Sequence, residues 1–340
     1  MFLKYFLLVF FCLSFLPSCF FKKKEKELLI NGAGASFPYI LYSKWIKEYK
    51  KEKKDVKINY QSIGSGGGIR QFLSGTLDFG GTDIPVSSEE EKNQKKIVHI
   101  PTTLGAVAIT YNLASLKNQT IKLTGELLAD IFRGKVKYWN DSKIQEINRE
   151  ISFPSKKILL VYRADGSGTT SFFTEFLSLK SPVFLKEVGK GKSVPWPFGL
   201  GAKGNEGVMG LVRKLEGAIS YIGLSYAISQ NLPRVAIKNK DGFFVQPSLS
   251  SLQFTAMQAL KDKEAYTESL IDKKGEESYP ISGYTFFILS KLPEPKGSAL
   301  LDFVKWSLTK GQKFSESLHF IPLPPPVRWE AIKKLSSLKN

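Results

Sequence analysis

Cysteine is nearly missing from this chain. Its two cysteines, Cys12 and Cys19, stand within the first twenty residues, so the folded body holds neither a thiol nor a disulfide. Thiol nucleophiles, cysteine-ligated metals and disulfide stapling are excluded together. Histidine is as scarce. His99 and His319 lie far apart, without H-E-x-x-H or comparable ligand spacing, which points to structural or surface roles and to no metal. With so few imidazoles to serve as bases, a Ser-His-Asp hydrolase finds no support. Internal repeats and long low-complexity segments are also absent.

Acidic charge is in deficit: 31 Asp and Glu face 49 Lys and Arg, a formal net charge of +18. Such an excess suits nucleic acid, an anionic membrane surface or a small anion. The basic residues are spread along the chain rather than gathered, so most of them read as a solvated surface, and nucleic acid is not expected as a partner. The aromatic residues fall mainly at helical or alternating spacing and read as core rather than base-stacking platforms.

What is present suits an α/β protein of about two domains, since 340 residues at 42% hydrophobic content can bury a full core. The first 21 residues, MFLKYFLLVFFCLSFLPSCFF, carry one charge ahead of a long apolar run, the pattern of an export signal. LPSC at 16–19 resembles the lipobox of bacterial lipoproteins. Residues 1–18 are then a signal peptide, Cys19 the lipidated first residue and 19–26 a charged tether. An uncleaved transmembrane anchor, with the lysines at 22–24 holding the body in the cytoplasm, is the alternative.

Three times an apolar strand runs into a Gly, Ser and Thr turn that opens an amphipathic helix: LLINGAGASFPYILYSKW, VKINYQSIGSGGGIRQFL and KKILLVYRADGSGTTSFFTEFL. In the first, Leu41, Trp45 and Tyr49 share a face and Pro38 suits the first helical turn. The second helix is expected from about Ile69 and the third from about Thr169. A helix start exposes unpartnered N–H groups at the positive end of the macrodipole, glycine admits a ligand to the backbone, and Ser or Thr adds a hydroxyl. One such joint reads as plain capping, but three in one chain point to convergence on an anion. Arg163 ends the third strand with a planar fork for an oxyanion, and Asp165 is placed to pair with it. LDFGGTDIP at 77–85 reads as a strand and turn with Asp83 near its carboxyl end. A carboxylate among anion donors suits an anion that still carries a proton, such as phosphate and unlike sulfate. Capping of the turn before Pro85 is its other reading.

Other glycine patterns are decoys. GLGAKG at 199–204 matches G-x-G-x-x-G but follows VPWPF rather than a clean strand. GKGKS at 189–193 lacks the first P-loop glycine, because Lys186 stands there. PLPPPVRW leads into a last helix, VRWEAIKKL.

GAGASFPYILYSKW, INYQSIGSGGGIRQF, LDFGGTDIP, RADGSGTTSFF, PWPFGLGAKGNEGV, GAISYIGLSYA and YPISGYTFFIL follow one another, from about residue 29 to the end, as in the phosphate-binding proteins of PstS type. The chain resembles these extracytoplasmic receptors of the phosphate ABC importer. The resemblance implies an α/β, two-lobed periplasmic-binding-protein fold, type II-like, with ligand in the interlobe cleft and a hinge crossed twice. Lobe one would comprise 27–104 and 283–340, and lobe two 105–282. The implied ligands of inorganic phosphate are Ser36, the Phe37 amide, Ser65, Asp83 as proton acceptor, Arg163, Ser167, Gly168 and Thr169, with Asp165 behind Arg163. The implied protein is a monomer without cofactor or catalysis. It would sit on the extracytoplasmic or periplasmic face, held only by its lipid, and deliver phosphate to an ABC permease. A phosphate-ester hydrolase on the same scaffold, or a basic surface protein binding anionic polymers, are the alternatives.

Overall fold

The computed structural model describes residues 27–91, 97–261 and 269–338, so the expected signal peptide, Cys19 and the expected tether lie outside the described residues. The described residues open with β1 (Leu28–Gly34), α1 (Tyr39–Glu52), β2 (Val56–Ser62), α2 (Ser65–Leu73), β3 (Phe79–Thr82), the short α3 (Ser88–Glu91) and the long β4 (Val98–Tyr111). A second stretch carries β5 (Lys122–Leu123), α4 (Gly125–Phe132), α5 (Ser142–Ile147), β6 (Leu159–Arg163), α6 (Gly168–Lys180) and α7 (Pro182–Glu187). It continues with β7 (Leu200–Ala202), α8 (Gly204–Lys214), β8 (Ala218–Gly223), α9 (Leu224–Ser229), β9 (Ala236–Lys238), β10 (Phe244–Val245) and α10 (Leu249–Lys261). The chain then returns through β11 (Ser282–Leu289), α11 (Lys296–Leu308) and α12 (Pro325–Ser336).

Eight strands form one curled sheet in the order β2-β1-β3-β11-β4-β8-β6-β7, beside a small β10-β9-β5 sheet. The strand-turn-helix units pair in parallel, β1 with β2 and β3, and β6 with β7 and β8. Between these groups, β4 and β11 run antiparallel. Residues 98–106 of β4 pair with β11, and 107–111 pair with β8. One strand thus belongs to both halves of the sheet, which fold over as two lobes. Their facing edges are the carboxyl ends of β1, β3 and β6, where open α/β sheets bind ligands.

Amphipathic spacing accounts for the packing. Leu41, Trp45 and Tyr49 lie on the buried face of α1, as their spacing predicts, Tyr42 joins them, and Pro38 stands at the helix N-cap, one residue before the helical run. The two fully buried tryptophans, Trp45 and Trp139, satisfy their indole N–H groups on the Gly311 and Gly217 carbonyls at 2.7 and 2.9 Å.

Three local expectations need correction. α2 begins at Ser65, four residues before Ile69, so its three glycines are helical. A β-carbon on Gly68 would lie 2.5 Å from the Gly34 Cα and 2.8 Å from the Ala33 carbonyl, so close backbone packing overrides glycine's poor helix propensity. The second lies in GLGAKG, where Leu200–Ala202 is a true edge strand on β6. Two of its glycines precede or lie within that strand, and only Gly204 reaches the helix start, so no dinucleotide turn forms. The third is the last helix, which starts at Pro325 rather than Val327, with proline in its first turn where no amide is needed.

Candidate functional site

The three predicted turns converge between the lobes. Ser167 caps α6, its Oγ accepting from the Thr170 N–H at 3.1 Å, which leaves the hydroxyl proton free to donate elsewhere. Gly168 follows, and its N–H donates to Ser65 Oγ, at the start of α2, at 3.2 Å. The Gly66 N–H donates to the Gly166 carbonyl at 2.9 Å, so the two helix starts meet backbone to backbone. Gly64, just before α2, has φ +81°, a conformation glycine tolerates without strain.

Asp83 follows β3 and is buried at 2% exposure. Its Oδ1 accepts from Thr285 Oγ at 2.8 Å and its Oδ2 from Ser65 Oγ at 3.3 Å. Burial pushes its carboxyl up to about 6, against the hydrogen bond from Thr285, the charge of Arg163 and the hydrogen bond from Ser65.

Arg163 ends β6 with its guanidinium buried. Nε donates to Asp165 Oδ1 at 2.7 Å and Nη2 to Asp165 Oδ2, a bidentate pair, while Nη1 reaches Thr169 Oγ at 3.4 Å. Burial alone would lower the Arg163 pKa, but the Asp165 carboxylate outweighs it and holds the guanidinium above its usual value. Burial would likewise raise Asp165, and the Arg163 bonds hold it below the usual carboxylate range. The Gly204 N–H also donates to Asp165 Oδ1, at 3.1 Å. Arg163 and Asp165 cancel as a pair, and Asp83 adds a carboxylate at the helix starts despite the cationic surface. An anion here must be held by directed hydrogen bonds and helix dipoles rather than by net positive charge.

Ser36 Oγ accepts from the Asn205 N–H at 3.1 Å and from Asn205 Nδ2 at 2.8 Å. The Phe37 ring faces the core, edge-on to Phe172 and Phe320, so only its backbone could serve the cleft. The structure therefore joins Ser36, Thr169, Arg163 and Asp165 in one bonded group, and Ser65, Asp83 and Gly168 in another.

Three further residues escaped the sequence reading. Buried Asn205 also bonds Thr169 Oγ at 3.3 Å and accepts the Gly223 N–H at 2.8 Å, tying three segments together. Thr285 holds Asp83. Tyr226 donates to the Ser36 carbonyl at 2.6 Å. Their partners are distant in sequence, so no local pattern marks them. Among the described residues, no group of His, Cys, Asp and Glu could hold a metal ion.

Comparison with known proteins gives a consistent family. The PBP superfamily domain matches residues 23–310. The phosphate-binding protein PstS of Xylella fastidiosa (strain 9a5c) is 41% identical over 306 residues, covering 89% of this chain and 84% of that protein. PstS of Haemophilus influenzae is 41% identical over 301 residues, covering 88% of this chain and 90% of that protein. Among solved structures, the phosphate-binding protein from Stenotrophomonas maltophilia shares the fold with a TM-score of 0.66 at 21% identity, covering 90% of this chain and 94% of that one. The chain belongs to the PstS family of phosphate-binding proteins, within the PBP superfamily.

Proposed function

We propose that this protein is the receptor of a phosphate importer, binding inorganic phosphate in the cleft and delivering it to an ABC permease. The carrying observation is the pairing of opposites: the buried Asp83 acceptor stands beside Ser65 and Gly168 at the helix starts, and the Arg163 guanidinium reaches Thr169, the next residue of α6. Only an anion that keeps a proton satisfies both. Ser36, the Phe37 amide, Ser65, Arg163, Ser167, Gly168 and Thr169 would donate, Asp83 would accept the phosphate O–H, and Asp165 would orient Arg163. Sulfate would set an unprotonated oxygen against Asp83, which costs about 3 kcal/mol or roughly a hundredfold in affinity.

The same reading takes 27–104 with 283–340 as one lobe and 105–282 as the other, closing about β4 and β11. The pairing of β4 with both halves of the sheet supports it. The receptor acts as a monomer outside the cytoplasmic membrane, tethered through lipid on Cys19. Among the described residues no helix is long and apolar enough to cross a membrane. It carries out no catalysis on its ligand.

Denaturing the purified chain and assaying the phosphate released tests this reading. About one phosphate per wild-type chain and little from Arg163→Ala is the expected result. Arg163-dependent hydrolysis of a generic phosphomonoester would replace the receptor with a hydrolase.

A further inference from the structure

Thr285 lies on β11 at a local irregularity. Thr285 pairs with Thr103 and the next residue, Phe286, with Pro101, so Thr102 is left over as a bulge. Proline, lacking an N–H, suits such an interruption, and bulges re-aim neighbouring side chains. Thr102 Oγ donates to the Thr285 carbonyl at 3.0 Å, so its 2.7 Å contact with the Tyr42 hydroxyl has tyrosine as donor. The bulge is thereby pinned from both sides, and the fully buried Thr285 hydroxyl is aimed at Asp83.

That hydroxyl has one proton, with Asp83 Oδ1 at 2.8 Å and the Thr82 carbonyl at 3.2 Å in reach and the Tyr42 hydroxyl beside it. The shorter, charge-assisted bond to Asp83 is favoured. With Oδ1 engaged, Oδ2 is the oxygen presented to the starts of α2 and α6: it lies by Ser65, and a β-carbon on Gly168 would be 2.6 Å from it.

We propose that Thr285 is a positioning residue that sets anion specificity. Its hydroxyl holds Asp83 as a carboxylate with Oδ2 toward the ligand, so the site takes a hydrogen bond from its anion and does not give one. The inference rests on the phosphate reading above. A neutral Asp83 carries its own proton and can donate to a bare oxygen, which is what sulfate offers. Without the Thr285 bond the neutral form persists to higher pH, because burial already favours it. The other titratable groups around Asp83 are Arg163 on β6, Tyr42 on α1 and Tyr60 on β2. On its far side a cavity of about 410 Å³ is walled also by His99, Glu175, Tyr284 and Lys334. Sulfate does not titrate in the accessible range, so its binding reports these protein groups alone, and the variant isolates Thr285 among them.

The test is the affinity of the purified chain for sulfate and for phosphate between about pH 5 and 8, in wild type, Thr285→Val and Thr285→Ser. Wild type should gain sulfate affinity only as pH falls through about 6. In Thr285→Val the gain should come at higher pH, with sulfate bound about fivefold tighter at pH 7 and the phosphate preference narrowed accordingly. Thr285→Ser should restore the wild-type profile, and Thr285→Ala gives the same readout if valine prevents folding. A uniform loss of affinity for both anions, with an unchanged pH profile, overturns the proposal. A wild type indifferent to phosphate overturns the phosphate reading instead, and this inference with it.

Discussion

Gly168 and Asp83 face each other across the cleft so closely that a β-carbon on Gly168 would lie 2.6 Å from Asp83 Oδ2 and 2.8 Å from its Cγ. The glycine is not in the left-handed region, so alanine is acceptable to its own backbone. The requirement for glycine comes from Asp83, at the facing end of β3. Gly168→Ala should leave thermal stability unchanged or slightly raised, since alanine is the better helix former by up to about 1 kcal/mol. Phosphate affinity should fall by about a hundredfold or more, because the added methyl props the cleft open. Calorimetric melting and titration on the same sample separate the two effects.

Asp83 places function against stability. Its folded pKa of about 6 lies above the usual 3.8, so the native state binds this proton more tightly than the unfolded chain. The group's contribution to stability therefore declines as pH rises from about 4 to 6 and stays low above that, by roughly 3 kcal/mol. Asp83→Asn removes the charge. The ligand-free variant should be more stable than wild type at pH 7 by up to roughly that amount, with the gain gone near pH 4. Urea denaturation at the two pH values measures it, and an equal gain at both would remove the buried charge as its cause.

Asn205 should be as important to phosphate binding as the proposed ligands. Asn205→Ala leaves the Gly223 N–H without its acceptor and Ser36 Oγ without its side-chain donor. A stability loss of about 1–3 kcal/mol is expected, together with weaker phosphate binding. Double-mutant coupling between Asn205→Ala and Ser36→Ala should be clearly non-zero, whereas additive effects would show the two act separately.

At the cleft rim, Lys192 Nζ meets Glu90 Oε1 at 2.6 Å, across 102 residues of sequence. Both side chains are about a third exposed, so the pair contributes at most about 0.5–1 kcal/mol. Lys192→Gln should speed phosphate release about two- to fivefold in stopped flow at low salt. The difference should fade at high ionic strength. A salt-independent difference would mean that packing, not charge, joins the rims.

Much of the site was legible because its parts are local. Strand, glycine turn and helix start occur within a dozen residues each, so the positions of Ser36, Ser65, Asp83 and Arg163 at the turns follow from the pattern, and Asp165 lies two residues from its partner. The helical glycines of α2 were not legible, since the reasons are tertiary: the backbone of β1 beneath Gly68 and that of Gly166 against Gly66. Thr285 reads as one more residue of an apolar strand until the bulge at Thr102 turns it toward Asp83. Asn205 directly follows a glycine pattern that resembles a nucleotide loop, and its bond to Ser36 spans 169 positions.

The most direct test is titration calorimetry on residues 25–340, unfolded to strip bound ligand and refolded, with phosphate and sulfate compared between about pH 6 and 8. The account predicts tight one-to-one phosphate binding, with sulfate weaker by at least about a hundredfold at neutral pH. Equal affinities, or no phosphate binding, would contradict it and leave the three turns as helix starts only.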